Sequence, residues 1–509
     1  MSRETFRHRR VSPDHPRHHH PSTNLVDRVC MMAVFLLFVA SAFAANPIPA
    51  VVGPPVPQAV VPGSRAFTLK VYGANFVSGA VVNWNRSPRS TTFVSARELH
   101  ATILAADVAK PTAGYITVTN PPPGGRASSS SYAIVEVHKP TKTIVVGRPH
   151  VYLSNAGSRL AVLSDYNNDG ILDFAADYGE EIRVFLGRGD GTFKQGSIIA
   201  SNYYNSFGSI IASGDFNNDH NEDLLFAANT NGPPTQLQVN FGDGNGKFRF
   251  GARSPFQFEN YPWGVGIGDF NRDGNLDATV TAAEPGYYLA VFLGNGQGIF
   301  KQGATYQDVG AYEVVPADFN GDGILDLVVL DSTSTGNLFI QLGNGDGTFQ
   351  QPRLVDRNPL AGTCSLSADL WVTDFNGDGK ADLAYCERDS NSGKIWVALG
   401  NGDGTFKKSV SLTVDAYQGA FEFAVGDFNS DGKTDILANY FLANDFNKTE
   451  TDLFLGNGDG TFQRKKVITL PGELFYNSEN GIVPADFNSD GLLDFISKAP
   501  GEFDVFNQR

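Results

Sequence analysis

Positive charge, sulphur and histidine are scarce in this chain. Its 509 residues carry 39 Lys and Arg against 54 Asp and Glu, a net charge of −15. No basic surplus exists to neutralise phosphates, which argues against a nucleic-acid partner. The sequence also lacks a Ser elbow, a zinc-type His pair and a phosphate-binding glycine loop. Beyond residue 45 the histidines are His100, His138, His150 and His220, and only His220 falls inside a repeat. A His-dependent triad is therefore not expected there. Methionine and cysteine number three each, whereas glycine reaches 55 and phenylalanine 38. That balance points to short strands and tight turns rather than helical bundles. The chain is 41% hydrophobic, enough for a sizeable core and too much for global disorder.

Residues 1–28 are polar and carry six Arg, with a run of His at 18–20. Val29 to Ala45 then form an apolar stretch of 17 residues that leaves through Ala42-Phe43-Ala44. A basic region, an apolar region and a small-residue exit are the layout of a secretory signal peptide, assigned to 1–45. The alternative is a retained membrane anchor, for which this length is short against a ~30 Å hydrocarbon core. The expected location is the medium or the cell surface. Cleavage leaves a net charge of about −18. It also leaves two cysteines, Cys364 and Cys386, whose spacing does not decide whether they pair.

Residues 46–137 contain no repeat. Phe67, Leu69 and Val71 alternate with Thr68 and Lys70, and turns follow at Gly73-Ala74-Asn75 and Pro121-Pro122-Pro123-Gly124-Gly125. Short alternating runs without helical periodicity predict a small β-sandwich. The runs Val71-Tyr72-Gly73-Ala74-Asn75-Phe76, Gly79-Ala80-Val81-Val82, Trp84-Asn85 and Asn120 to Gly125 resemble the IPT/TIG family of immunoglobulin-like domains. The resemblance implies a spacer or interaction module, not a catalyst. Residues 138–143 read as a linker.

From 144 to 509 the sequence repeats. Asp-x-Asn-x-Asp-Gly-x-x-Asp starts at 165, 215, 269, 318, 374, 427 and 486, in steps of 50, 54, 49, 56, 53 and 59 residues. A second pattern, Leu-Gly-x-Gly-x-Gly-x-Phe, starts at 186, 293, 342, 399 and 455, with a variant at Phe241. Each period holds an apolar strand into the acidic turn, one out of it, one into the glycine hairpin and one beyond. Asn-Gly and Asp-Gly pairs such as those at 344–347 suit tight hairpins because they tolerate positive φ. Four short strands per period predict an all-β chain, a seven-bladed β-propeller after the sandwich. The seventh copy has no glycine hairpin, so its fourth strand is expected from Ile144 to Ser154, which would close the ring and remove two sheet edges.

The acidic turns carry the chemistry. Side-chain oxygens at positions 1, 3, 5 and 9, with a Gly at 6, resemble the start of an EF-hand loop, and close carboxylates call for a cation. The candidate ligands are Asp165, Asn167, Asp169 and Asp173; Asp215, Asn217, Asp219 and Asp223; Asp269, Asn271, Asp273 and Asp277; then Asp318, Asn320, Asp322 and Asp326. They continue with Asp374, Asn376, Asp378 and Asp382; Asp427, Asn429, Asp431 and Asp435; and Asp486, Asn488, Asp490 and Asp494. A metal-free Asp-rich turn would explain one copy, but the kept spacing of seven favours up to seven Ca2+ over Mg2+. In the second copy His220 replaces the position-6 Gly, which predicts the weakest site.

These turns and the hairpins, such as 318–326 and 342–349, resemble the FG-GAP/VCBS repeats of integrin-α-like propellers over about 144–509. The resemblance implies calcium in the turns and, weakly, adhesion or ligand binding. The Phe residues of both patterns are expected to pack between blades. Arg188-Gly189-Asp190 spells an adhesion tripeptide but lies inside a repeat hairpin. The opposite face gathers Tyr203, Tyr204, Tyr261, Trp263, Tyr287, Tyr288, Tyr440, Phe441, Phe475 and Tyr476 in or beside its connections. Aromatics there could stack on sugars or simply fill blade edges. The expected function is calcium-stabilised, non-enzymatic binding of a glycan or protein, in adhesion or recognition. No membrane partner is expected unless the N-terminal segment is retained. The alternative is a secreted carbohydrate-active enzyme, a lyase or glycosidase.

Overall fold

The structure is a computed structural model. It describes residues 45–128, 133–142, 144–153, 159–178, 181–200, 211–228, 236–256, 262–282, 288–307, 311–331, 337–357, 370–388, 393–414, 416–442, 445–468, 482–499 and 502–509. Every regular element among them is a strand.

The N-terminal part forms two sheets. Strand Phe67–Ala74 pairs with Glu98–Ile103, and Val81–Trp84 pairs with Thr112–Thr119. Alternation sets which side chains turn inward: Leu69, Val71, Val82, Trp84, Leu99 and Val118 share one core. This is a β-sandwich, as the alternating pattern implies.

Beyond it stand seven four-stranded antiparallel sheets among the described residues. The third shows the plan: Pro262–Gly268 enters the acidic turn, Asp277–Ala282 leaves it, and Tyr288–Gly294 and Phe300–Gln307 flank the glycine hairpin. First strands of consecutive sheets touch one another, from Arg159–Ser164 round to Val483–Ala485. The seventh sheet takes its fourth strand from the front of the domain. His150–Leu153 pairs antiparallel with Glu502–Phe506, His150 facing Val505 and Leu153 facing Glu502. The closing strand lies within the expected 144–154 segment.

Neighbouring sheets are joined by aromatic pairs. The ring at position 2 of one acidic turn meets the Phe ending the next sheet's hairpin. Tyr166–Phe248, Phe216–Phe300, Phe270–Phe349, Phe319–Phe406 and Phe375–Phe462 stand 5.4 to 5.9 Å apart, mostly edge to face. Phe487 reaches Phe193 at 5.5 Å and so joins the seventh sheet to the first. Such pairs add about 0.5–1.5 kcal/mol each beyond their buried area.

The remaining junction, sixth sheet to seventh, has no hairpin Phe. At five junctions the carbonyl of the position-2 residue accepts an N–H from the next hairpin, as Phe270 does from Gly347 at 3.0 Å. At the junction of the sixth and seventh sheets the Phe428 carbonyl instead accepts from Gln508 Nε2 at 3.0 Å. Gln508 is 1% exposed, and nothing in the repeat pattern marks it.

Candidate metal-binding turns and the domain that covers them

Each acidic turn is first a backbone device. The position-9 Asp is fully buried in all seven copies. In six copies one of its oxygens accepts the N–H at position 2, as Asp173 does from Tyr166 at 2.8 Å and Asp326 from Phe319 at 3.0 Å; in the sixth, Asp435 Oδ2 has no partner. The other accepts from the first hairpin glycine: Gly187 to Asp173 at 2.8 Å, Gly294 to Asp277 at 2.9 Å and Gly400 to Asp382 at 2.7 Å. That residue must be glycine, since a Cβ on Gly343 would overlap the Leu325 carbonyl. In the seventh copy, which lacks the hairpin, the backbone N–H of Gln508 donates to Asp494 at 2.7 Å. One residue thus replaces both hydrogen bonds of the missing hairpin.

The other positions follow suit. Asp269 accepts from the N–H of Asp273 at 3.0 Å and of Gly274 at 2.9 Å. Asn271 accepts from Asp273 N–H at 2.9 Å and donates through Nδ2 to Asp273 at 3.0 Å. Asp273 accepts from Asn275 N–H at 2.9 Å. Turn two keeps this form despite its histidine: His220 adopts φ 72° and donates its N–H to Asp215 at 2.9 Å. Its exchange for glycine therefore changes no hydrogen bond of that kind.

Burial and mutual repulsion raise these acids. Burial, with Asp165 and Asp169 nearby, lifts Asp173 to about 7 against the opposing Gly187 and Tyr166 N–H groups. Burial is also the main cause that takes Asp223, Asp435 and Asp494 to about 8. The donor set, all side-chain oxygens, suits a hard cation, and an oxygen accepting one N–H keeps a lone pair. As arranged, no three Asp, Glu, His or Cys side chains form a metal-holding group among the described residues.

The sandwich does not stand apart as a spacer. It is seated on the acidic end of the propeller and reaches all seven turns. Arg86 pairs with Asp165 at 2.6 Å and Arg126 with Asp215 at 3.0 Å. Ile48 N–H donates to Asp269 at 2.8 Å, and Asn75 N–H to the Gly323 carbonyl at 2.8 Å. Arg97 donates to the Gly379 carbonyl, Ser430 donates to Glu136 at 2.5 Å, and Tyr115 donates to the Asp486 carbonyl at 2.7 Å. Apolar contact reinforces this: Ile48, 3% exposed, sits in a core with Phe216 and Leu276. Asn75 of the immunoglobulin-like motif is wholly buried, with φ 61°. Sequence patterns could not reveal this seating, because its residues carry no shared period.

Of the far-face aromatics, Tyr440 is 2% exposed and its hydroxyl donates to Asp452 at 2.9 Å, so it belongs to the interior. Tyr288 packs against a core cluster, and Trp263 is partly exposed. Tyr203, Tyr204, Tyr261, Tyr287, Phe475 and Tyr476, and the side chain of Phe441, lie outside the described residues. Asp190 of the Arg-Gly-Asp run accepts from both Thr192 N–H and its hydroxyl, as Asp346 does from Thr348. It is a hairpin residue. Cys386 is disulfide-bonded, and its partner lies outside the described residues.

A ring of four-stranded sheets closed by an N-terminal strand, with an acidic turn in each sheet, is a repeat-based β-propeller. The chain belongs to the FG-GAP-like repeat family, which matches residues 165–226, 215–280, 318–385, 374–438 and 439–497. The match lies within 165–497, so the immunoglobulin-like resemblance of 46–137 rests on its own motifs. No curated protein matches the chain. Among solved structures it is similar to an auxiliary nutrient binding protein from Bacteroides ovatus, at 10% identity, 91% coverage of this chain and 98% of that one, with a TM-score of 0.39. It is likewise similar to a rhamnogalacturonan lyase from Bacillus licheniformis, at 12% identity, 91% coverage of both chains and a TM-score of 0.40. Likeness at this level carries no argument about what this chain binds.

Proposed function

We propose that the chain is an exported binding protein that presents a ligand surface at the propeller end away from the acidic turns, without catalysis. The observation that supports this is the seating of the sandwich. It covers the acidic end, so a macromolecule or glycan approaching the propeller meets the opposite one. Export is supported by the segment order in 1–45 and by the disulfide at Cys386, since disulfides persist in oxidising compartments. No helix among the described residues is long and apolar enough to cross a membrane.

Calcium belongs to the same proposal. Positions 1, 3, 5 and 9 of turns three to seven would hold it, with turns one and two already charge-compensated by Arg86 and Arg126, and the ion would offset the burial and repulsion that raise the acids. The ligand is a glycan or a protein, in recognition or adhesion. A glycan array on the exported protein, followed by product analysis of each hit, tests the reading. Binding without turnover is expected. New reducing or unsaturated ends would identify a lyase or glycosidase instead, and a blank array would turn the search to protein ligands.

A further inference from the structure

A cleft of about 320 Å³ opens between the sandwich and the first two acidic turns. Alternation sets its sandwich wall. In Thr112–Thr119, Ile116 and Val118 turn into the sandwich core, so Thr117 and Thr119 turn outward, and Asn83 stands opposite Thr117 on the paired strand. These three half-buried side chains line the cleft and touch one another: Asn83 Nδ2 donates to Thr119 Oγ1 at 3.0 Å and to Thr117 Oγ1 at 3.3 Å. Each hydroxyl keeps a proton to donate and Asn83 Oδ1 keeps its acceptor sites, with no partner for them among the described residues. Across the cleft stands His220. Position 6 is glycine in the other six turns, so this turn alone projects a side chain there, from a backbone of φ 72° that favours glycine. The turn makes no use of the ring, since the bond to Asp215 comes from the His220 backbone N–H.

The Arg, Asp and Glu that line the cleft are already paired. Arg86 meets Asp165 at 2.6 Å and donates to Asn168 at 2.9 Å, and Glu222 accepts from Ser213 at 2.8 Å. What stays open to a ligand is a set of hydroxyl, amide and imidazole groups, donors and acceptors side by side. A polyhydroxylated molecule matches that set, because each of its hydroxyls both donates and accepts. A hydrocarbon would find little apolar wall beyond Ala127 and Leu172. We propose that this cleft binds a neutral saccharide unit, held by Asn83, Thr117 and Thr119 on one side and by His220 on the other. The site lies at the end opposite the ligand surface proposed above and does not depend on it.

The probes are D-glucose, D-galactose, D-mannose, D-xylose and, as the charged counterpart, D-glucuronic acid. Titrated into the full chain and followed by ligand-observed NMR and calorimetry, a neutral member should bind saturably at one per chain, in the millimolar range or tighter. Thr117→Val with Thr119→Val keeps both side-chain shapes, removes both hydroxyls and should weaken that sugar about tenfold. His220→Gly restores the residue of the other turns, and should weaken the sugar while the melting temperature holds or rises. A purely structural histidine would give the reverse. Thr68→Val, the same exchange at an exposed site on Phe67–Ala74, should leave binding unchanged. Absence of saturable binding by every neutral sugar overturns the proposal. Equal binding by both cleft variants overturns it too, by placing the sugar elsewhere, and so does a preference for glucuronic acid, whose charge the cleft does not match.

Discussion

The Arg86 guanidinium stands 2.6 Å from the carboxylate of Asp165, and the two residues belong to different domains. Arg126 and Asp215 repeat the relationship at the next turn, at 3.0 Å. A sandwich arginine therefore supplies positive charge in each of turns one and two.

Calcium stoichiometry should register this. The double variant Arg86→Ala, Arg126→Ala is expected to bind two more ions than the parent, measured by equilibrium dialysis with metal analysis. The Arg86 side chain is 47% exposed, so its pair contributes at most about 1 kcal/mol, and the variant should melt within a few degrees of the parent. Equal stoichiometry in both proteins would show that arginine and calcium do not compete.

Removing calcium is the broader test. An ion bound only by the folded state stabilises by about 2.7 kcal/mol per site at a hundredfold excess over Kd. Chelator should therefore lower the melting temperature sharply, and Asp318→Ala should blunt that response more than Asp215→Ala, whose carboxylate already has Arg126. A melting curve indifferent to chelator argues that backbone hydrogen bonds alone hold the turns.

Gln508→Ala should be disproportionately harmful for a residue so near the end of the chain. It removes the donor to the Phe428 carbonyl at the junction of the sixth and seventh sheets. The cost expected is about 1–3 kcal/mol, that of a buried acceptor left unpaired. The backbone bond from residue 508 to Asp494 survives the substitution, so the loss isolates the side chain. Chemical denaturation measures it, and a change below about 0.5 kcal/mol would assign closure to the Phe487–Phe193 pair and the His150–Leu153 strand alone.

Asp504 predicts a pH dependence. It is 4% exposed, its Oδ1 has no partner, and burial with Glu502 nearby lifts it to about 6. In the unfolded chain an Asp titrates near 3.9. The folded state thus holds the proton more tightly, and stability falls as pH rises from about 4 through about 6. Asp504→Asn removes that loss and should stabilise by up to about 3 kcal/mol at pH 8, with little gain at pH 4. Equal effects at both values would mean that the amide acts through packing rather than charge.

The strands, turns and closing segment were legible in the sequence because their causes are local and repeated. An Asp at position 9 bolts its own turn to its own hairpin, so a single period contains both partners. The Phe pairs were half legible: the pattern identified the residues and their packing between blades, and only the ring showed which Phe meets which. Even the missing seventh hairpin could be read, as a gap in a count that His150–Leu153 fills.

What the tertiary structure alone decided lies between segments that share no period. Gln58 meets Thr434 across 376 positions of sequence, and Arg86 meets Asn168 across 82. Nothing local to either residue requires the meeting, which follows from two separately folded surfaces fitting one another. For the same reason Gln508 is unremarkable in the sequence, yet it replaces two backbone donors once the ring brings Phe428 and Asp494 beside it. The sequence by itself determined the units and their acidic turns, because those depend on neighbours in the chain. The covering of the turns by the sandwich depends on neighbours in space.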